Sequence, residues 1–186
     1  MATSPFQKQL PLYLTLFRMV SVPFIVVLMI WQPSGWNWLS AGLFILASLS
    51  DWLDGYLARL YNAETDLGRL LDPIADKFLV STVLILLIPL YRIEALLVVL
   101  LLNRDIIING LRSFAAAQGK IISAGELGKW KTALQMVAIP AILIHDHVGP
   151  LSGQWIGYWG LWLSLILSLV SAAQYLVGFL RTTATH

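Results

Sequence analysis

The chain has 186 residues, of which 58% are hydrophobic and 12% are charged, and its mean hydropathy is +0.76. A soluble domain carries roughly twice that charged fraction, so this composition favours a membrane protein. The net charge of +2 argues against a nucleic-acid-binding protein, and the absence of cysteine excludes disulfides and thiolate metal sites.

Six apolar segments are long enough to cross a bilayer, which takes about 20 helical residues. In chain order they span residues 12–31, 36–61, 70–91, 93–117, 127–145 and 155–181. Residues 5–10 are expected to lie on the membrane surface as an amphipathic lead-in. No linker or shift in composition interrupts the chain, so residues 1–186 are predicted to form one domain. The predicted fold class is all-α, a polytopic membrane protein with six transmembrane helices.

Basic residues fall almost entirely on one side of this six-span map. Of the 12 Lys and Arg residues, 11 lie on that side or at its helix ends, and only Arg92 lies on the other. The 11 are Lys8, Arg18, Arg59, Arg69, Lys77, Arg104, Arg112, Lys120, Lys129, Lys131 and Arg181. Because basic residues are retained in the cytoplasm, both termini are predicted to be cytoplasmic.

Four aspartates lie at the cytoplasmic ends of the second and third segments. Asp51 and Asp54 share one helix face, and Asp72 and Asp76 are one turn apart on the next helix, where Pro73 is expected in the first turn. An unpaired charge at the centre of a membrane helix costs about 2.5–3.5 kcal/mol, so we expect divalent metal ions to neutralise these carboxylates. An all-oxygen ligand set suits Mg²⁺ or Mn²⁺ rather than zinc.

Two small residues follow the first aspartate pair on the same helix face. Gly55 and Ala58 lie one and two turns beyond Asp51 and leave space beside the carboxylates. A nucleotide diphosphate that bridges the metal ions would fit that space. For any one of these residues alone, close helix packing or pairing with arginine is the simpler interpretation.

Together with Arg59 and Gly68, these residues form eight typed positions, D-x2-D-G-x2-A-R-x8-G-x3-D-x3-D, over residues 51–76. This pattern resembles the signature of the CDP-alcohol phosphatidyltransferase family. The resemblance implies a six-helix membrane core and displacement of CMP from a CDP-linked lipid by an alcohol. It implies metal binding by Asp51, Asp54 and Asp72, and a general-base role, with metal ligation, for Asp76. The positions that it implies around the nucleotide are Gly55, Ala58, Arg59 and Gly68.

A group of basic residues occurs in the second half of the chain. Arg104 and Arg112 lie inside the fourth segment, where a buried arginine is costly, and Lys129 and Lys131 begin the fifth. Basic side chains that converge on a carboxylate–metal site indicate that an anion other than the aspartates binds there. The phosphate of a phosphorylated acceptor would provide that anion. The simpler alternative is that they are ordinary basic anchors at the cytoplasmic face.

Four further stretches of sequence resemble the bacterial phosphatidylglycerophosphate synthase branch of this family. They are residues 10–18, 104–112, 119–124 and 127–140. This resemblance implies CDP-diacylglycerol as donor, glycerol 3-phosphate as acceptor, two divalent ions and a homodimer in the bacterial cytoplasmic (inner) membrane, with the active site at the cytoplasmic face. It places Thr15 near the nucleotide. The residues that it implies at the acceptor phosphate are Arg104, Arg112, Lys129 and Lys131.

Two alternatives stay open. The same chemistry could serve inositol phosphate, phosphatidylglycerol or serine as the acceptor. A small cation transporter would also place aspartates inside the membrane, but it predicts them near the bilayer centre, whereas all four lie at the cytoplasmic ends here.

Overall fold

The computed structural model describes residues 5–61, 66–117, 126–148 and 151–184. Within these ranges the chain forms six helices and one short two-stranded ladder. The elements are α1 (Pro5–Trp31), α2 (Trp36–Tyr61), α3 (Asp66–Leu87), α4 (Ala95–Ala117), α5 (Glu126–Ile144), β1 (His147–Val148), β2 (Leu151–Ser152) and α6 (Gly153–Ala184). The antiparallel ladder of β1 and β2 turns the chain from α5 to α6. The predicted helical architecture is confirmed.

The bounds of α1 and α3 differ most from the sequence prediction. The first helix begins at Pro5, so the predicted lead-in over residues 5–10 is continuous with α1. The third helix begins at Asp66, which places Pro73 in its second turn rather than its first, where its missing N–H removes one internal hydrogen bond. That helix ends at Leu87 because Pro89 disfavours helical geometry in the preceding residue, and Tyr91 then adopts a φ of 56°.

The surface of the bundle is largely apolar. Parts of α1 (Tyr13–Trp31) and α6 (Gly153–Val177) are long and apolar enough to cross a bilayer by length and composition. Large apolar side chains are exposed on every one of the six helices, for example Phe24, Leu46, Ile85, Ile106, Val137 and Ile166. Water-soluble monomers rarely expose apolar surface on this scale, so the structure is consistent with a membrane protein.

Close helix contacts hold the bundle together, most extensively between α5 and α6 and between α1 and α2. Gly157 allows the first of these contacts, because a Cβ at this position would lie 2.5 Å from the carbonyl oxygen of Ala138. Small residues commonly permit such backbone approach in membrane helices. The centre of the bundle is filled by fully buried apolar side chains, including Phe44, Leu84, Leu101, Ile139 and Leu161.

Arg92, in the α3–α4 loop, ties three elements together at one end of the bundle. Its Nη1 donates to the carbonyl oxygens of Ile142 and Leu143 at 2.9 and 2.7 Å, and its Nη2 donates to Asn37 Oδ1 at 2.9 Å. The guanidinium also lies 4.6 Å from the ring centroid of Trp36. A cation at the carbonyl end of α5 is favoured by the helix dipole, so Arg92 braces this end of the fold.

Candidate active site

An arginine on α1 joins the first aspartate pair. Arg18 Nη1 forms an ion pair with Asp51 Oδ1 at 2.6 Å, and its Nη2 donates to Asp54 Oδ2 at 2.7 Å. Its Nε donates to the carbonyl oxygen of Ala47 at 3.3 Å, and Thr15 Oγ1 donates to Asp54 Oδ2 at 3.5 Å. Arg18 is fully buried and Asp54 nearly so, whereas the Asp51 side chain is 41% exposed.

Arg18 adds a counter-charge that the sequence did not predict. Divalent metal ions are expected to neutralise the aspartates, and Arg18 supplies a further positive charge between Asp51 and Asp54. From the sequence alone, Arg18 is predicted only to be one of the basic residues on the cytoplasmic side. A signal was present, because an arginine within an apolar run needs a buried partner, and Thr15, three residues earlier, lies on the same helix face.

The donor chemistry of the aspartate pair fits a hard divalent cation. Asp51 and Asp54 converge on one guanidinium, so their carboxylates are close enough to act on a common charge, and oxygen donors suit Mg²⁺ or Mn²⁺. Among the residues whose side chains are described, no group of three or more His, Cys, Asp or Glu forms a metal site. Asp72 lies in α3, but its side chain is outside that set.

A cavity of about 500 Å³ begins beside Asp51. Its walls come from α2, α3, α4 and α5, and the four basic residues predicted at the acceptor phosphate all line it, namely Arg104, Arg112, Lys129 and Lys131. Residues from the two halves of the sequence therefore meet in one cavity. The basic residues at one wall can bind an anionic group directly, and the Asp51 carboxylate at another could hold a second anionic group through a bound divalent cation.

Asp76, the predicted general base, lines an adjoining cavity of about 180 Å³ between α3, α4 and α5. Its Oδ2 accepts a hydrogen bond from Lys77 Nζ at 3.0 Å. The two cavities share the lining residues Lys77, Asp105, Asn109, Thr132 and Met136. Asp76 is therefore next to the larger cavity but does not line the same cavity as Asp51.

Asp105, to which the sequence analysis gave no role, pairs with two of the cavity cations. Arg104 Nη1 lies 3.1 Å from Asp105 Oδ1, and Lys131 Nζ donates to the same oxygen. Arg104 Nε also donates to the carbonyl oxygen of Ser168 on α6 at 2.8 Å. All three side chains are largely buried, so this network holds Arg104 and Lys131 at fixed positions in the wall.

A buried polar stripe on α6 contacts two of the basic residues that line the cavity, Arg112 and Lys131. It consists of four residues at helical spacing, Ser164, Ser168, Ser171 and Tyr175. Ser164 Oγ donates to the carbonyl oxygen of Lys131 at 3.3 Å, and the Tyr175 ring centroid lies 5.7 Å from the Arg112 guanidinium carbon. This stripe is absent from the sequence-based prediction. Its signal was four polar residues spaced by three or four positions in an apolar segment.

The remaining predicted positions lie in helices but have side chains outside the described set. Gly55, Ala58 and Arg59 belong to α2, and Gly68 and Asp72 belong to α3. Their roles at the nucleotide or metal stay predictions.

The model of the CDP-alcohol phosphatidyltransferase family matches residues 8–170. The chain belongs to this family. Three similar curated proteins are each named CDP-diacylglycerol–glycerol-3-phosphate 3-phosphatidyltransferase. The Bacillus subtilis protein is 35% identical over 89% of this chain and 92% of its own length. Those of Rickettsia typhi and Salmonella choleraesuis are 36% identical over 90% and 91% of this chain and 95% and 94% of theirs.

Membership confirms the resemblance found in the sequence. This phosphatidyltransferase is a transferase of phospholipid synthesis, its family is integral to membranes, and the family generally depends on divalent metal ions.

Proposed function

We propose that the protein transfers the phosphatidyl group from CDP-diacylglycerol to the hydroxyl of sn-glycerol 3-phosphate. The hydroxyl oxygen forms a new bond to the phosphorus of the phosphatidyl group, and the bond from that phosphorus to CMP breaks. Asp76 takes the hydroxyl proton, so the products are phosphatidylglycerophosphate and CMP. The printed names of the three relatives support this reaction.

The 500 Å³ cavity is the observation that carries the proposal. Asp51 lies at the end where a metal-bound pyrophosphate is expected, and the lining arginines and lysines supply positive charge for a second phosphate. Serine offers only a carboxylate of single negative charge, whereas a phosphate carries more negative charge and more acceptor oxygens for the basic residues that line the cavity. This supports a phosphorylated acceptor, and the names of the relatives favour glycerol 3-phosphate over inositol phosphate and phosphatidylglycerol.

The metal site is proposed to hold two divalent ions, Mg²⁺ or Mn²⁺. Asp51, Asp54, Asp72 and Asp76 would be the ligands, with Asp76 also serving as the base. When bound, such ions offset the charge of the pyrophosphate and stabilise the leaving CMP. Lys77 Nζ lies 3.0 Å from Asp76 Oδ2 at the edge of the larger cavity and adds positive charge beside this carboxylate.

The cytidine nucleotide is expected beside α1, α2 and the start of α3. Thr15 supports this location, because its hydroxyl donates to Asp54 within the carboxylate pair. Gly55 and Ala58 follow Asp54 on the same helix and offer little steric bulk. The remaining members of the proposed nucleotide site are Arg59 and Gly68.

We place the active site at the cytoplasmic face of the bacterial inner membrane, with six membrane-spanning helices and both termini in the cytoplasm. The separation of basic residues supports this orientation. Arg92 braces one end of the bundle, whereas the cations of the cavity and the carboxylates lie at the other. The homodimer implied by the resemblance stays a prediction, which light scattering of the purified protein would measure.

A cation transporter is less consistent with the interior. A transport path requires polar groups through the bundle, but the centre is filled by fully buried Phe44, Leu84 and Leu101. The aspartate pair is closed by Arg18 on α1 and does not continue into a polar channel among the described residues.

The direct test is CMP release by purified protein in detergent with CDP-diacylglycerol and Mg²⁺. Glycerol 3-phosphate, inositol phosphate, serine and phosphatidylglycerol are compared as acceptors, with EDTA as the blank. We expect EDTA-sensitive release with glycerol 3-phosphate alone. Release with another acceptor only would keep the reaction class and reject the proposed acceptor, and no release with any of them would reject the proposed reaction.

A further inference from the structure

We propose that Arg18 is a positioning residue that holds Asp51 and Asp54 in the arrangement required to bind the divalent ion. This inference rests on the proposed metal-dependent function. It assigns to Arg18 a task that its charge alone does not perform, namely fixing the relative orientation of two ligands.

The contacts of Arg18 leave its guanidinium little freedom. Nε and Nη2 donate hydrogen bonds to Ala47 and Asp54, and Nη1 makes an ion-pair contact with Asp51. The side chain is fully buried between α1 and α2. The backbone contact to Ala47, one turn before Asp51, fixes the guanidinium relative to the helix that carries both carboxylates.

The geometry explains why an arginine occupies this position. Asp51 and Asp54 are one turn apart on α2, so their like charges repel and would turn the carboxylates away from each other. The guanidinium is planar, and its two Nη atoms have a fixed spacing that binds one oxygen from each carboxylate. A lysine has a single ammonium group and cannot impose that relation.

The expected consequence is tighter metal binding. Groups that orient metal ligands without touching the metal commonly affect metal affinity by 10- to 100-fold when they are removed. Arg18 also reduces the charge of the aspartate pair from −2 to −1. If that neutralisation were its whole effect, lysine would replace it without loss, and if it competed with the metal, its removal would tighten metal binding.

These possibilities are separated by direct measurement of Mn²⁺ binding. The wild-type protein, Arg18→Lys, Arg92→Lys and Asp54→Asn are purified in detergent, and free Mn²⁺ is measured by electron paramagnetic resonance during titration. We expect about 10- to 100-fold weaker binding in Arg18→Lys. Arg92→Lys is the matched control at the opposite end of the bundle and should bind Mn²⁺ as the wild type does. Asp54→Asn should lose the site.

Unchanged or tighter Mn²⁺ binding by Arg18→Lys would overturn the inference. Failure of Arg18→Lys to yield folded protein, while Arg92→Lys does, would also overturn it, because the ion pair would then be a requirement of the fold. Absence of Mn²⁺ binding by the wild type, or wild-type binding by Asp54→Asn, would instead reject the proposed metal site.

Discussion

Arg18 and Arg92 use the same side chain for different purposes at opposite ends of the bundle. Their partners on α2, Asp51 and Asn37, are 14 residues apart, which corresponds to about 21 Å along a helix. Within the part of the chain that the structure describes, Arg92 donates to neutral oxygens, those of two carbonyls and one amide. Arg18 instead binds two carboxylates in the candidate active site.

The difference shows how stability and chemistry are separated along the fold. At the Arg92 end, one cation satisfies neutral acceptors, and although burial lowers the pKa of Arg92, the charge of Asp146 partly offsets this effect. At the Arg18 end, carboxylates outnumber the guanidinium, so negative charge is left for a further cation. Changes at the first end should therefore alter stability, and changes at the second should alter the reaction.

The largest expected effect is on turnover in Asp76→Asn. Loss of a general base typically reduces the rate by about 10²- to 10⁴-fold, and the amide cannot accept the hydroxyl proton. CMP binding should change much less than turnover, because three of the four proposed metal ligands remain. The melting temperature should stay close to wild type, because Asp76 is partly exposed and its described ion pair is with Lys77. CMP release and calorimetric binding of CMP measure the two properties.

The matched control for this change is Glu94→Gln at the Arg92 end. Glu94 accepts a hydrogen bond from Tyr158 Oη at 2.7 Å, and an amide oxygen can still accept that bond. We expect wild-type turnover in Glu94→Gln. Full activity in Asp76→Asn would remove Asp76 as the base and break the assignment of chemistry to its end of the bundle.

Arg92→Ala tests the other side of the comparison. It removes three charge-assisted hydrogen bonds that join the α3–α4 loop to α2 and α5, so we expect a loss of about 2–4 kcal/mol in the free energy of unfolding. For a chain of this size, the melting temperature should fall by roughly 5–15 °C. The KM values of correctly folded protein for both substrates should not change, and a selective rise in the acceptor KM would contradict the proposed brace.

Arg112→Ala sharpens the proposal for the acceptor phosphate. A hydrogen bond to a charged group contributes about 1.5–3 kcal/mol, so the KM for glycerol 3-phosphate should rise about 10- to 150-fold. The KM for CDP-diacylglycerol should change much less, because Arg112 lines the cationic wall of the cavity. Steady-state CMP release at varied concentrations of each substrate measures this split. An unchanged acceptor KM would reject Arg112 as a phosphate ligand.

Much of the helical fold could be predicted because its signals are local. The second helix begins and ends where the apolar run over residues 36–61 predicts. The end of α3 differs from the prediction because the apolar run extends beyond Pro89 to Tyr91, whereas the helix ends at Leu87 before this proline. The convergence of four distant basic residues on one cavity followed from a family resemblance, since spacing within one helix says nothing about neighbouring helices.

The partners of buried charges were the part that the sequence alone could not supply. Arg18 contacts Asp54 across 36 positions, and Lys131 contacts Asp105 across 26. Periodicity indicates which residues share a face of one helix, but the choice of partner depends on how two helices pack. The aspartate pattern therefore predicts that positive charges neutralise the carboxylates, but it does not predict that Arg18 on α1 supplies one of them.

The smallest expected effect concerns Tyr175, whose ring lies 5.7 Å from the Arg112 guanidinium. A cation–π contact of this kind contributes about 0.5–1 kcal/mol, so Tyr175→Leu should raise the KM for glycerol 3-phosphate about two- to fivefold through the position of Arg112. Tyr175→Phe is the matched control. It retains the ring and should stay close to wild type. Equal effects of the two variants would assign the role to the hydroxyl, and an equal rise in both substrate KM values would indicate a general loss of packing. A rise in the KM for glycerol 3-phosphate in Tyr175→Leu alone would extend the active site to α6. From the sequence, this helix is predicted only to be an apolar segment with regularly spaced polar residues.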